Sequence, residues 1–190
     1  MSTKQIIYLA LIAVILVGLA LFPFMTQDDS TFNLVILVFL YMTLASSWNI
    51  LGGYTGQTNL GHAAFFGAGS LATRLLWVGG FPAVPSILAG GVIAVALALA
   101  IGIPAFKLKG VYFAIGTLAL ALILNITIGN VFPEMSYNPA ISDYQIVPRY
   151  YLFLGLTVIT IAAAYFLVNS RWGLGMMAVR EGEDAAESRS

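Results

Sequence analysis

The feature that most constrains this chain is the spacing of its charged side chains, which sit in clumps separated by long uncharged stretches. A helix needs about 20 apolar residues to cross the hydrocarbon core of a bilayer. There are 23 uncharged residues between Lys4 and Asp28, 44 between Asp29 and Arg74, and 32 between Arg74 and Lys107. A further 24 separate Lys109 from Glu134, and 21 separate Arg149 from Arg171. These gaps predict an all-α, polytopic integral membrane bundle of about six helices, over residues 5–26, 31–51, 60–79, 84–106, 110–132 and 150–169. The third is the weakest of the six, because it is rich in glycine and carries Arg74. Composition agrees: 60% of the residues are apolar and 8% are charged, against roughly 25% charged in a soluble domain. A soluble enzyme, a disordered segment and a nucleic-acid binder with a basic face are thereby excluded.

The sign of the charges predicts orientation. With the N-terminus inside, the inner segments hold Lys4, Lys107, Lys109, Arg171, Arg180 and Arg189, and the outer ones Asp28, Asp29, Glu134 and Asp143 with Arg149 as their one basic residue. Basic residues accumulate on the cytoplasmic side of membrane proteins, so both ends are expected in the cytoplasm. Dropping the third span would carry Lys107 and Lys109 outside, so the bias argues for that crossing. The apolar stretch Ile6–Met25 exceeds the roughly 7–15 residues of a signal-peptide core and no small-residue cleavage site follows it, which favours an uncleaved helix. Tyr137, Tyr144, Tyr150 and Tyr151, around the far end of the outer loop, read first as interfacial anchors.

The stretch Gly52–Ser70, GGYTGQTNLGHAAFFGAGS, departs from a generic helix bundle. Irregular backbone exposed to lipid is too costly, because each unsatisfied N–H or C=O loses several kcal/mol there. The segment must be buried in protein, line a watery cavity or lie at the interface. Two readings fit: a cytoplasmic turn followed by a tightly packed small-residue helix, or a broken, pathway-lining element of a transporter. Gln57, Asn59 and His62 are the polar candidates within it, with Thr117 and the sparse polar residue Asn125 of the fifth span as further pathway candidates. His62 could relay a proton or bind a ligand, or simply hydrogen-bond at the interface. No carboxylate lies within any span to pair with it, which weakens proton coupling. Gly90, Ala94, Ala98 and Gly102 recur every four residues as a helix-packing face. With no cysteine, one histidine and no phosphate-cradling Gly-Lys loop, the sequence offers no catalytic residue, cofactor site or metal-ligand set.

Four segments carry a family resemblance: the Gly-rich stretch, LVFLYMTLASSWNILGG (37–53), LKGVYFAIGTLALALI (108–123) and SRWGLGMMAVREGEDAA (170–186). In this order, over about residues 34–187, they resemble the branched-chain amino-acid ABC transporter permeases, in particular the LivM-type subunit. The resemblance implies a division of labour. A second permease subunit would complete the pathway, two cytoplasmic ATP-binding subunits would drive it, and an external solute-binding protein would deliver Leu, Ile, Val or a similar solute at a bacterial or archaeal plasma membrane. It also implies that 170–190 approaches the cytoplasmic coupling loop, with Glu183, Asp184, Ala185 and Ala186 matching its acidic-Ala-Ala core; composition alone would make the same tail a solvated terminus.

Two departures bear on this. Many family members carry an acidic residue shortly after the Thr of the fifth span, where this chain has Leu122. The sequence also ends at Ser190, inside the expected coupling loop. The expectation is therefore a single but incomplete permease domain over 1–190, corresponding to the N-terminal half to two-thirds of a permease. The competing functions are a self-contained channel or secondary transporter and a non-transporting membrane scaffold.

Overall fold

The computed structural model describes residues 3–26, 28–105, 107–108, 110–132 and 145–187. Glu134, Tyr137, Asp143 and Tyr144, and also Lys109 and Arg189, lie outside the described residues. Among the described residues, seven α-helices follow one another with no strand: α1 Thr3–Met25, α2 Asp29–Asn49, α3 His62–Val78, α4 Ala83–Ala105, α5 Val111–Val131, α6 Ile146–Val168 and α7 Arg171–Glu187. A π-helical turn, Ile50–Tyr54, continues α2. Five helical stretches are long and apolar enough to cross a membrane: Ile6–Met25, Asp29–Tyr54, Ala83–Ala105, Val111–Val131 and Ile146–Val168. The remaining candidate of the six, α3, has 17 residues and spans about 26 Å at 1.5 Å per residue, a little short of a hydrocarbon core of about 30 Å. Large apolar side chains point outward along these helices, among them Val14, Leu88, Val92, Ile126 and Ile159. In water such a surface would drive aggregation; in lipid it is the solvated face. The protein is a multi-pass helical membrane protein.

The chain divides into two compact units, 1–43 with 141–162, and 44–140 with 163–190. In the first, α1, most of α2 and most of α6 enclose a small aromatic core of Phe32, Ile36, Phe39 and Tyr150. The Tyr150 ring stacks on Phe22 at 5.6 Å between centroids and meets Phe32 and Phe39 edge-on at 5.7 and 5.5 Å. The Tyr150 hydroxyl donates to the Leu19 carbonyl at 2.7 Å. That carbonyl needs an outside donor because of a proline: Pro23, inside α1, has no N–H to give to the residue four before it. Buried Thr157 of α6 joins α2 in a similar way, through the Phe39 carbonyl at 3.1 Å and the Thr43 hydroxyl at 3.0 Å. At the start of α2, Asp28 is the N-cap. Its carboxylate accepts from the Thr31 hydroxyl and from the Thr31 N–H, the latter at 2.9 Å. These bonds hold its carboxyl below the ordinary carboxylate range, since they favour the charged form.

In the second unit, α3 packs against α4 and α5. Contact with α4 is close because both helices present small residues. A Cβ on Gly90 would stand 2.0 Å from the Thr73 hydroxyl oxygen and 2.5 Å from the Gly69 carbonyl, and one on Gly69 would meet Ala94 at 3.1 Å. Gly90 and Ala94 of the four-residue stripe thus face α3, and Ala98 and Gly102 continue it along α4.

Replacing Tyr150 with Phe is expected to reduce stability by about 1–2 kcal/mol, and by less in a Pro23→Ala background, where a restored N–H serves the Leu19 carbonyl. Thermal unfolding of the four variants in detergent checks this; an equal loss in both backgrounds would contradict it. Asp28 has a lowered folded-state pKa, so its capping contribution is present above an unfolded value of about 3.9 and is lost as pH falls through the lower folded value. Asp28→Asn, which still caps but does not titrate, is expected to flatten the acid limb of the stability profile.

Candidate functional site

The break between α2 and α3 gathers most of the unusual chemistry of the chain, all within the second unit. Helix α2 ends in SSWN, passes into the π-helical turn ILGGY, and gives way to an irregular linker before α3 begins at His62. The turn needs its two glycines. Trp48 lays its ring against Gly52, where a Cβ would be 2.6 Å from the indole, and the Asn49 amide oxygen would be 2.1 Å from a Cβ on Gly53. π-Helical turns recur at functional sites because they shift the register of side chains without ending the helix.

The break, π-helical turn and linker together, is tied at four points. The Trp48 indole N–H donates to the Asn59 carbonyl at 2.8 Å. The Asn59 side-chain oxygen accepts the Gly61 N–H at 2.8 Å, closing a tight turn onto α3. The Leu60 N–H donates to the Thr117 hydroxyl oxygen at 3.1 Å, while that hydroxyl donates to the Ala114 carbonyl of its own helix at 3.0 Å. Thr117 is buried, and Gly61 lies so close to α5 that a Cβ there would come within 2.4 Å of the Thr117 carbonyl. The fourth tie comes from α7: Arg180 donates through Nη1 to the Gly53 carbonyl at 3.1 Å.

His62, first residue of α3, lies 2.9 Å through Nε2 from the Ser47 hydroxyl. Ser47 also donates to the Leu44 carbonyl at 3.0 Å. The Ser47 hydroxyl thus joins the backbone of its own helix to the His62 ring. Leu44, Ala45, Trp48, Asn59, Leu60, His62 and Ala63 line an open cleft of about 340 Å³. Its walls are mainly aliphatic and aromatic, with polar groups from His62 and Asn59.

Of the residues singled out from sequence, Asn59, His62 and Thr117 come together here. Gln57 lies half-buried in the same linker. Asn125 does not join them: it is exposed on α5, eight residues beyond Thr117, or about 12 Å along the axis. Glu183, Asp184, Ala185 and Ala186 fall within α7, but their side chains lie outside the described residues. Sequence reasoning missed Ser47, Trp48 and Arg180. The signal for the first two is a polar-aromatic Ser-Ser-Trp-Asn cluster closing an otherwise apolar helix; Arg180 carries no comparable sign.

A multi-pass helical membrane protein with an internally satisfied break between two of its helices is the class these features define. The family described as the branched-chain amino acid transport system, permease component, matches residues 30–189, and the chain belongs to that family. It is similar to the high-affinity branched-chain amino acid transport system permease protein LivM of Escherichia coli (strain K12), with 29% identity over 133 residues, covering 68% of this chain and 30% of that protein. The LivM protein of Salmonella typhimurium (strain LT2) is 28% identical over 133 residues with the same coverage. The aligned part thus spans about 30% of the length of these relatives. No solved structure matches the chain.

Thr117→Val keeps the shape but leaves the Leu60 N–H without its acceptor. It is expected to destabilise the protein by about 1–3 kcal/mol, whereas Thr117→Ser is expected to be near neutral. Thermal unfolding in detergent distinguishes the two, and equal behaviour would contradict the assigned hydrogen bond.

Proposed function

We propose that this chain acts as a membrane-spanning permease subunit of an ATP-driven importer for branched-chain or similar hydrophobic amino acids. The observation that carries the reading is the family match over residues 30–189, which includes the whole of the break between α2 and α3. A second permease subunit would supply the other wall of the pathway, and an external solute-binding protein would deliver the amino acid. Two cytoplasmic ATP-binding subunits would engage α7 around Glu183, Asp184, Ala185 and Ala186. The chain would sit in a bacterial or archaeal plasma membrane with both ends cytoplasmic and α3 crossing as the third of six spans, which puts Lys107 and Lys109 on the basic inner side. Gln57, Asn59, His62, Thr117 and Asn125 are the pathway residues of this reading. The aliphatic cleft beside His62 supports an apolar or zwitterionic solute, because a neutral lining neither attracts nor traps a net charge.

Co-expression with the companion permease and ATP-binding subunits of the same transport system is expected to allow their co-purification and to support leucine uptake in proteoliposomes only with ATP and the binding protein. Replacing Glu183 and Asp184 together with Lys is expected to abolish both the association and the uptake. Leucine flux through the chain alone without ATP would overturn the reading in favour of a self-contained channel.

A further inference from the structure

Arg180 reaches from α7 to the end of the α2 helix at a place where the backbone lacks a partner of its own kind. A helix leaves its last carbonyls without intrahelical donors, and here the π-helical turn stops at Tyr54. Thr55 returns both its N–H and its hydroxyl to the Leu51 carbonyl, at 3.2 and 2.5 Å. The Gly53 carbonyl, two residues on, accepts instead from Arg180 Nη1 at 3.1 Å. A guanidinium at this position also meets the negative end of the helix dipole. The contact is more than one hydrogen bond. Gly56, in the left-handed region at φ +75°, brings the linker against the aliphatic stem of Arg180, where a Cβ would be 3.1 Å from Cγ. The guanidinium therefore caps the turn while its stem covers the start of the linker.

The other end of this lever is also fixed. Helix α7 leaves α6 through a turn in which the Ser170 hydroxyl donates to the Leu167 carbonyl at 2.6 Å and accepts the Trp172 N–H at 3.2 Å. Gly173 fits against the Val168 carbonyl, which would stand 2.1 Å from any Cβ there. Arg180 and the residues beyond it lie on this one continuous helix, Arg171–Glu187.

We propose that Arg180 is a positioning residue that latches α7 to the break between α2 and α3, so that movement of α7 changes the exposure of the linker beside the His62 cleft. The inference rests on the permease reading only for the source of that movement, an ATP-binding subunit engaging α7; the latch is a property of this chain's own contacts. Because the protein has no cysteine, Gln57→Cys gives a single thiol in the linker whose rate of alkylation in detergent or nanodiscs reports its exposure. Arg180→Ala is expected to raise that rate several-fold and to remove its dependence on nucleotide in the assembled complex, while co-purification with the ATP-binding subunits persists. Arg180→Lys, which can still donate to the Gly53 carbonyl, is expected to retain most of the native protection and guards against a general loss of folding. An unchanged labelling rate in Arg180→Ala, or a nucleotide response that survives it, overturns the latch. Equal deprotection by Lys and Ala also overturns it as a hydrogen-bonded cap. Failure of the chain to bind any ATP-binding subunit overturns the permease reading, and the nucleotide-free labelling comparison then decides the latch by itself.

Discussion

The structure depends first on the demand that an interrupted backbone find its hydrogen bonds within the protein. From the π-helical turn Ile50–Tyr54 to His62 the chain leaves the regular α-helical ladder, and its freed N–H and C=O groups need other partners. The demand is met by side chains from three separate helices. Trp48 in α2 takes the Asn59 carbonyl, Thr117 in α5 takes the Leu60 N–H, and Arg180 in α7 takes the Gly53 carbonyl. The same bonds that solvate the break therefore also decide where α3 starts and which neighbours it has.

Proline raises the same demand on a smaller scale in the first unit. Pro23 withdraws one donor from α1, and Tyr150 of α6 replaces it from the centre of an aromatic cluster. The interaction is economical because a tyrosine brings apolar surface and one hydroxyl together: the ring packs Phe22, Phe32 and Phe39, and the oxygen answers the Leu19 carbonyl. Thr157 follows the same rule, a short side chain whose methyl suits a packed interface and whose hydroxyl stays within reach of backbone on α2. In a medium where lipid tails are as apolar as leucine, association of helices relies on such shape and hydrogen-bond terms rather than on hydrophobic burial.

The helices were legible in the sequence because charge spacing is a one-dimensional signal. The gaps between Lys4 and Asp28 or between Arg149 and Arg171 bracket most of α1 and of α6, although α1 starts at Thr3 and α6 at Ile146, each ahead of the basic residue. The importance of the Gly52–Ser70 stretch was legible for a similar reason, as a local excess of glycine and small polar residues. What escaped was pairing. Trp48 with Asn59, Tyr150 with Leu19 and Arg180 with Gly53 each join residues on different elements, and nothing in composition or period marks one Arg or Trp as the partner of a given carbonyl. Asn125 illustrates the converse. A polar residue on the same helix as Thr117 looked equivalent to it, yet their separation of eight residues sends them to different levels of the helix.

Of the two sequence readings of the Gly-rich stretch, a packed turn and a pathway element, the contacts describe the packed turn. Gly52, Gly53, Gly56 and Gly61 each stand where a Cβ would strike Trp48, Asn49, Arg180 or the Thr117 backbone. Their identity is accounted for by packing within the break, so the glycines themselves are not an argument for a solute approaching the backbone. A solute-facing role has to rest on the side chains that the packed break turns outward. Those are Leu44, Trp48, Leu60 and His62 around the open cleft, a lining of apolar bulk beside one imidazole. Packing thus comes first physically: the glycines allow the break to close on itself, and only a closed break holds His62 and Trp48 in fixed relation on one surface.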